Sequence, residues 1–345
     1  MTDSVTQRVS VALCTHNGAG YVAEQVRSIL HQSVPPTQIV LSDDASTDAT
    51  VSTVREIVAR FRAERPQLPL QLTVLSNPEP LGVTANFQQA IEACSGDLIA
   101  LCDQDDVWML DKLAVIVDHF AQRPELTLVH TDARLVDEHG TAIGQDLAAA
   151  LGFTARDQRD VREGRALNVL LRLNVVTGAT TVFRRSLVDS AVPFPASWVH
   201  DEWLAMVAAI TGQVDFLPEP LINYRQHGSN QIGAAKPTTS QKVERLRVSR
   251  SDRNALLLQR AQALADRAPH FEGRASVEGT AQTKGTSRTI EALTAGKLAH
   301  ERARSAFPAP RILRIVPVLI EAFTGRYHRF GRARYDIVRD LIQPG

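Results

Sequence analysis

The chain has 345 residues, 44% of them apolar and 22% charged. That is ordinary for a soluble globular protein but longer than one core holds comfortably, so one large domain plus an appendage is expected. Its 38 basic and 38 acidic residues cancel, which argues against a nucleic-acid-binding surface over the whole molecule.

Met1 to Arg8 is polar and lacks the apolar core of a signal peptide. No apolar run approaches the ~20 residues that span a bilayer, so a cytoplasmic protein is expected. Val9 to Cys14 is a short β-rich apolar run, ended by the polar break Thr15-His16-Asn17-Gly18. Val22, Val26, Ile29 and Leu30 then share one face of a helix that stops before Pro35 and Pro36. Ile39 to Leu41 reads as the next strand. The turn Ser42 to Asp48 follows, with Ser46 or Thr47 as N-cap of a helix reaching about Arg62.

Leu70 to Leu75 is a third strand, Asn86 to Cys94 a third helix, and Leu98 to Cys102 a fourth strand ending in an acidic cluster, followed by a helix over Val107 to His119. Such alternation with short polar turns implies a parallel sheet covered by helices, with ligands at the carboxyl ends of the strands. Leu126 to Thr131 and Thr177 to Phe183 read as strands, Asp201 to Ile210 as a helix and Val214 to Leu217 as a short strand. Ala234 to Gly285 is polar, Arg-rich and helical in pattern, with a Gly/Ser/Thr-rich loop over Phe271 to Ser287. Arg311 to Leu341 interleaves apolar residues with arginines. Cys14, Cys94 and Cys102 each sit in an apolar stretch and lack the pairing of a zinc site, so they read as small buried hydrophobes.

Two clusters carry the chemistry. Asp103-Gln104-Asp105-Asp106 puts three carboxylates in four residues after a buried strand. They repel one another and lose hydration unless a cation joins them, and Mg²⁺ or Mn²⁺ suits such ligands together with phosphate oxygens. The alternative is a solvated acidic turn opening the next helix. In Ser42 to Asp48, helix capping accounts for Ser46 to Asp48 but not for Asp43 and Asp44, where a carboxylate can accept the imide N–H of uracil or thymine.

Val11-Ala12-Leu13-Cys14-Thr15-His16-Asn17, Asp43-Asp44-Ala45-Ser46-Thr47-Asp48 and Asp103-Gln104-Asp105-Asp106, in that order, resemble the N-terminal half of family 2 inverting glycosyltransferases. The resemblance implies an α/β fold of GT-A type with a mostly parallel central sheet, occupying residues 1–233, plus a helical, basic C-terminal region, 234–345. It implies that Thr15, Asn17 and Asp44 hold the nucleoside, and that Asp103 and Asp105 face the ribose and the metal–diphosphate, with Asp105 on the metal. Ala45 departs from the glycine the family often has, which matters only if the position needs a positive φ. Thr177-Gly178-Ala179-Thr180 looks like the acceptor-side glycine segment, and His200-Asp201-Glu202-Trp203 falls where the family has its base. Leu221 to Gly228 resembles the closing segment of rhamnosyltransferase-like members.

The implied reaction is a single displacement at the anomeric carbon, with Asp201 taking the acceptor proton and Glu202 as the rival base. The donor would be a dTDP- or UDP-sugar, with rhamnose suggested by the closing segment, and the acceptor a glycan or polyprenyl-linked hydroxyl. Arg225 and His227 are candidates for the diphosphate or the metal shell. Lys112 and Trp108 are candidates for donor contact, and Asn86 for a nucleoside contact or a helix cap. Apart from the resemblance, a non-catalytic nucleotide-sugar sensor would need no base at Asp201. A sugar nucleotidyltransferase would normally carry a basic Gly-rich loop, whereas the turn from Thr15 to Gly20 has no Lys or Arg. The basic, apolar segment Arg311 to Arg339 suits either the face of an anionic membrane or packing on the catalytic domain, with Pro317 expected to kink it. Nucleic acid is the weakest partner, because the aromatic residues there form no stacking platform.

Overall fold

The computed structural model describes residues 7–227, 250–271 and 283–344, with the backbone alone for 283–289. Four parallel strands open the chain: β1 (Val9–Thr15), β2 (Gln38–Asp43), β3 (Gln71–Ser76) and β4 (Leu98–Cys102). They lie in the spatial order β3-β2-β1-β4. Every residue of β1, β2 and β4 is buried, as expected for continuous apolar runs covered on both faces. Helices α1 (Val22–Leu30), α2 (Thr50–Glu64) and α3 (Val83–Glu92) make the crossovers. Helix α1 buries the predicted stripe Val22, Val26, Ile29 and Leu30. The register sets Thr15 opposite Asp43 and Leu13 opposite Cys102, so the turns leaving β1, β2 and β4 share one edge of the sheet.

Beyond β4 the sheet is mixed. Strands β5 (Val107–Trp108), β6 (Leu126–Val136), β7 (Ala142–Asp146), β8 (Thr181–Arg184) and β9 (Gln213–Arg225) continue it. Strand β8 runs antiparallel to both β4 and β6, whereas β6 and β9 are parallel. The helix expected from Val107 begins instead at Lys112, as α4 (Lys112–Gln122). Val107 and Trp108 pair with Asn223 and Ile222 of β9, and the Trp108 N–H donates to Ser28 Oγ at 3.0 Å, which together outcompete a helical turn. The strand expected from Thr177 starts at Thr181, after a 3₁₀ turn over Gly178–Thr180. Val214 to Leu217 proves to be one part of the 13-residue β9, which takes in the segment up to Arg225. Short helices α5 (Leu147–Leu151), α6 (Ala155–Asp160), α7 (Ala166–Leu170) and α8 (Val188–Ala191) precede α9 (His200–Thr211).

The chain divides into two compact units, Met1–Gly164 with Val175–Phe194 and Val199–Ala234, and Arg165–Asn174 with Pro195–Trp198 and Ala235–Gly345. Two segments from the first 233 residues thus group with the second unit. That unit contains α10 (Arg250–Arg267), α11 (Thr283–Ser305), α12 (Arg311–Phe323), α13 (Arg326–Phe330) and α14 (Arg334–Ile342). The expected loop over Phe271 to Ser287 lies largely outside the described residues, but its last part, from Thr283, is helical. Helix α12 runs through Pro317. Much of this unit's interior is ionic: the buried Arg304 pairs with Asp340 at 2.7 Å and Glu301 at 3.2 Å, and the Tyr327 hydroxyl donates to Asp340 at 2.8 Å.

Candidate active site

The turns leaving β1 and β2 are stitched together by their own side chains. Thr15 Oγ1 donates to Asp43 at 2.6 Å, and the Asp44 N–H donates to the Thr15 carbonyl at 2.8 Å. Asn17 N–H donates to Ser46 Oγ at 2.8 Å, and Asn17 Oδ1 accepts from the Thr47 N–H at 2.9 Å. The Thr15 hydroxyl thus spends its proton inside the turn and keeps its acceptor capacity. Ser46 and Thr47 do not cap α2, which begins at Thr50; Asp48 accepts the Thr50 N–H at 3.0 Å in their stead. Ala45 has φ of 61°, the left-handed region in which glycine is at ease and alanine strained by roughly 1 kcal/mol.

Asp44 is buried and holds the entry to α3. Its Oδ1 accepts from the Leu81 N–H at 2.6 Å and Asn77 Nδ2 at 3.4 Å, and its Oδ2 from the Gly82 N–H at 3.0 Å. Two lone pairs per oxygen leave one acceptor position on Oδ2. Asn86 is neither cap nor open ligand: Gly82 precedes α3, and Asn86 clips β2 by donating to the Ser42 carbonyl at 3.0 Å and accepting from Ser42 Oγ at 2.6 Å.

Gln104, the middle residue of the acidic motif, ties this loop to the first turn. The His16 N–H donates to its Oε1 at 2.9 Å, and its Nε2 donates to the His16 carbonyl at 3.0 Å. A Cβ on Gly18 would run into the end of the Gln104 side chain, so a larger residue there would push the amide off His16. Gly18 was visible in the sequence as a turn residue, but nothing there marked Gln104 as its partner.

Around the acidic loop the charges converge. Burial first, then Asp105 and Asp201, push the Asp103 carboxyl up to about 7. Burial, then Asp105 and Asp103, raise Asp106, whose Oδ1 accepts from the Arg225 N–H at 2.9 Å while Oδ2 has no partner among the described residues. The Tyr224 hydroxyl is also pushed up, by burial and then by Asp106, Asp103, Asp105 and Asp201. Lys112 is the counter-charge inside this group. It is fully buried, donates to the Ala179 carbonyl at 2.8 Å, lies 4.0 Å over the Trp108 ring, and is pulled down to about 8 by burial. Lys112 is thus an internal cation on the β8 side of the sheet, and Trp108 is core.

Arg225 and His227 both meet Asp105. The Arg225 guanidinium donates to the Asp105 carbonyl at 2.8 Å, the Glu138 carbonyl at 2.8 Å and Glu24 at 2.7 Å. These three contacts brace the loop. His227 Nε2 lies 2.8 Å from Asp105 Oδ2, and its ring stacks on Tyr21 at 4.8 Å. Asp201 starts α9, buried to 7% exposure, with Oδ2 accepting the Gly178 N–H at 2.8 Å and Oδ1 accepting the Glu202 N–H at 2.7 Å. Beside it His200 stacks on Phe87 at 3.8 Å, and burial pulls its imidazole down to about 3.

The site thus has two linked parts. Asp103, Asp105, Asp106, Lys112 and Asp201 act on one another, and Thr15, Asn17 and Asp44 form a hydrogen-bonded rim joined to them through Gln104. The Cys14 thiol senses both: burial raises its pKa most, with Asp103 and Asp44 adding to it. All three cysteines are free and buried, as expected. Among the described residues, no group of three or more His, Cys, Asp or Glu side chains forms a ready metal cage. The donors at hand, Asp103 and Asp105, are the hard carboxylate oxygens that suit Mg²⁺ or Mn²⁺, and their mutual repulsion favours a cation.

Residues 10–191, more than half of the chain, match the family described as Glycosyl transferase family 2. An uncharacterized protein of Mycobacterium tuberculosis is 29% identical over 226 residues, which cover 64% of this chain and 59% of that protein. The chain therefore spans under two-thirds of that relative's length. The dTDP-rhamnosyl transferase RfbG of Shigella flexneri is 24% identical over 232 residues, 64% of this chain and 74% of that one. Among solved structures, Staphylococcus aureus TarS 1–349 in complex with UDP-GlcNAc superposes with a TM-score of 0.53 at 17% identity, covering 94% of this chain and 89% of that one. That likeness establishes the GT-A fold. Among the described residues, no helix is long and apolar enough to cross a membrane.

Proposed function

The chain belongs to glycosyl transferase family 2, and on that premise we propose that it is an inverting, metal-assisted transferase moving a sugar from a nucleoside diphosphate to an acceptor hydroxyl. One observation carries the reading: Asp103 and Asp201, almost a hundred residues apart, come close enough for Asp201 to raise the Asp103 carboxyl. This supports a donor-side acid and a base that act on one another.

In this reading the nucleoside lies along the rim. The remaining acceptor position on Asp44 receives an N–H of the base, and Asn17 closes the turn beside it. Asp103 and Asp105, with His227 beside them, would hold Mg²⁺ or Mn²⁺. When bound, the cation supplies positive charge against the departing diphosphate. Asp201 removes the acceptor proton, its carboxylate aimed by the N–H groups of Gly178 and Glu202. Lys112 holds the acidic loop together from beneath.

The name of the Shigella relative supports a dTDP-sugar, with rhamnose as the sugar, and the TarS complex supports UDP-sugars as the rival donors. The acceptor is a glycan or a polyprenyl-linked sugar of cell-surface polysaccharide, met at the cytoplasmic face of the membrane. The test is a thermal-shift screen of thymidine, uridine and guanosine diphosphate sugars with Mn²⁺, followed by turnover of the best binder. A chain that binds none of them, with or without metal, is not such an enzyme.

A further inference from the structure

Helix α12 is built inside out. Its buried side carries, besides the apolar Val318, two charged residues: Arg314 donates to the carbonyls of Pro308, Ala309, Asp340 and Gln343, and Glu321 pairs with His300 at 2.7 Å and Arg326 at 3.1 Å. Its outward side is apolar, with Ile312 81% exposed, Phe323 90%, and Leu313, Val316, Leu319 and Ile320 also exposed. A helix at an aqueous surface normally shows the reverse arrangement. A contiguous exposed apolar face of this kind marks a surface that something covers.

The charge of the same segment narrows what that is. From Arg311 to Gln343 the acidic residues are Glu321, Asp336 and Asp340, and all three are buried in ion pairs. The exposed charges are Arg311, Arg329, Arg332 and Arg334, all cationic. At 13 residues the helix is too short to span a bilayer and suits the plane of its interface. A second copy of the segment carries the same positive charge and offers these arginines no partner, whereas anionic headgroups match them.

We propose that the outward face of α12, with the exposed arginines of the same segment, docks on an anionic lipid bilayer. This deepens the reading of a membrane-carried acceptor, and it is tested apart from transfer. The full chain is sedimented with vesicles of phosphatidylcholine alone or with added phosphatidylglycerol. We expect salt-sensitive binding to the anionic vesicles. The exposed-residue variant Ile320→Ser/Phe323→Ser should lower it about tenfold or more, with thermal midpoint and turnover of soluble donor unchanged. Arg329→Gln/Arg332→Gln/Arg334→Gln should weaken binding to anionic vesicles alone.

Equal binding by wild type and both variants overturns the proposal, as does no binding by wild type. So does a wild-type dimer in light scattering that the serine variant dissociates, since a second copy would then cover the face. A chain that turns over donor without binding vesicles leaves the transferase standing and sinks this inference. Vesicle binding without turnover does the opposite.

Discussion

Asp103→Asn should make the metal-free protein more stable while abolishing transfer. Burial, Asp105 and Asp201 raise the Asp103 carboxyl from its ordinary 3.8 to about 7, with Lys112 pulling the other way. A rise of about three units, at 1.36 kcal/mol each, caps the cost of ionising it in the folded chain at ~4 kcal/mol. The amide remains a half-buried polar group, so a gain of roughly 1–3 kcal/mol is the working figure.

The sign follows from proton counts. The folded-state pKa lies above the unfolded one, so between about pH 4 and 7 the folded chain holds more protons than the unfolded chain. Wild-type stability from this group therefore falls as pH rises through that window and levels off above it. Thermal unfolding with chelator should show no gap between the two proteins near pH 4 and a gap of ~2–10 °C by pH 8. Added Mn²⁺ should raise the wild type and move the variant less. A gap constant across pH, or a variant less stable throughout, would refute the argument that repulsion within this cluster loads the site.

Three further outcomes follow from the same geometry. Asp201→Asn should lower transfer at least ~100-fold while leaving donor binding, read by thermal shift, intact; near-normal rates would pass the role to Glu202. Lys112→Met removes the buried cation and should cost about 3–5 kcal/mol in denaturant unfolding, whereas a change under ~1 kcal/mol would mean that the acids do not rely on it. Ala45→Gly relieves a positive φ and should raise stability by up to ~1 kcal/mol, visible as a small rise in melting temperature. A fall would indicate that the alanine methyl packs usefully.

What could be read from the sequence was what depends on near neighbours. β1, β2, β4 and α1 show themselves as apolar runs or stripes, and the acidic turns follow them directly. β5 could not be found, since two residues carry no periodicity and Val107-Trp108 is a strand only because β9 lies beside it. The antiparallel insertion of β8 is likewise a matter of which strands pair, and local pattern does not encode that. The site's chemical types were legible, but their commitments were not. Thr15 and Asn17 look like free ligands until Asp43, Ser46 and Thr47, some 30 positions on, are seen to occupy them. Arg225 is occupied by a carbonyl 120 positions away. In α12 the interleaving of arginine and apolar residues was plain. Which side turns inward was not, because the usual assumption of apolar-in is the one this helix breaks.

The exchange between Gln104 and His16 bears on how a donor would arrive. A loop fastened in this way, with a glycine shaved to let the amide in, has already surrendered its freedom before any substrate is present. Association should therefore look like a key entering a cut lock, in one kinetic phase. Severing that single amide should slow capture and add a second, slower phase as the loop searches for its shape.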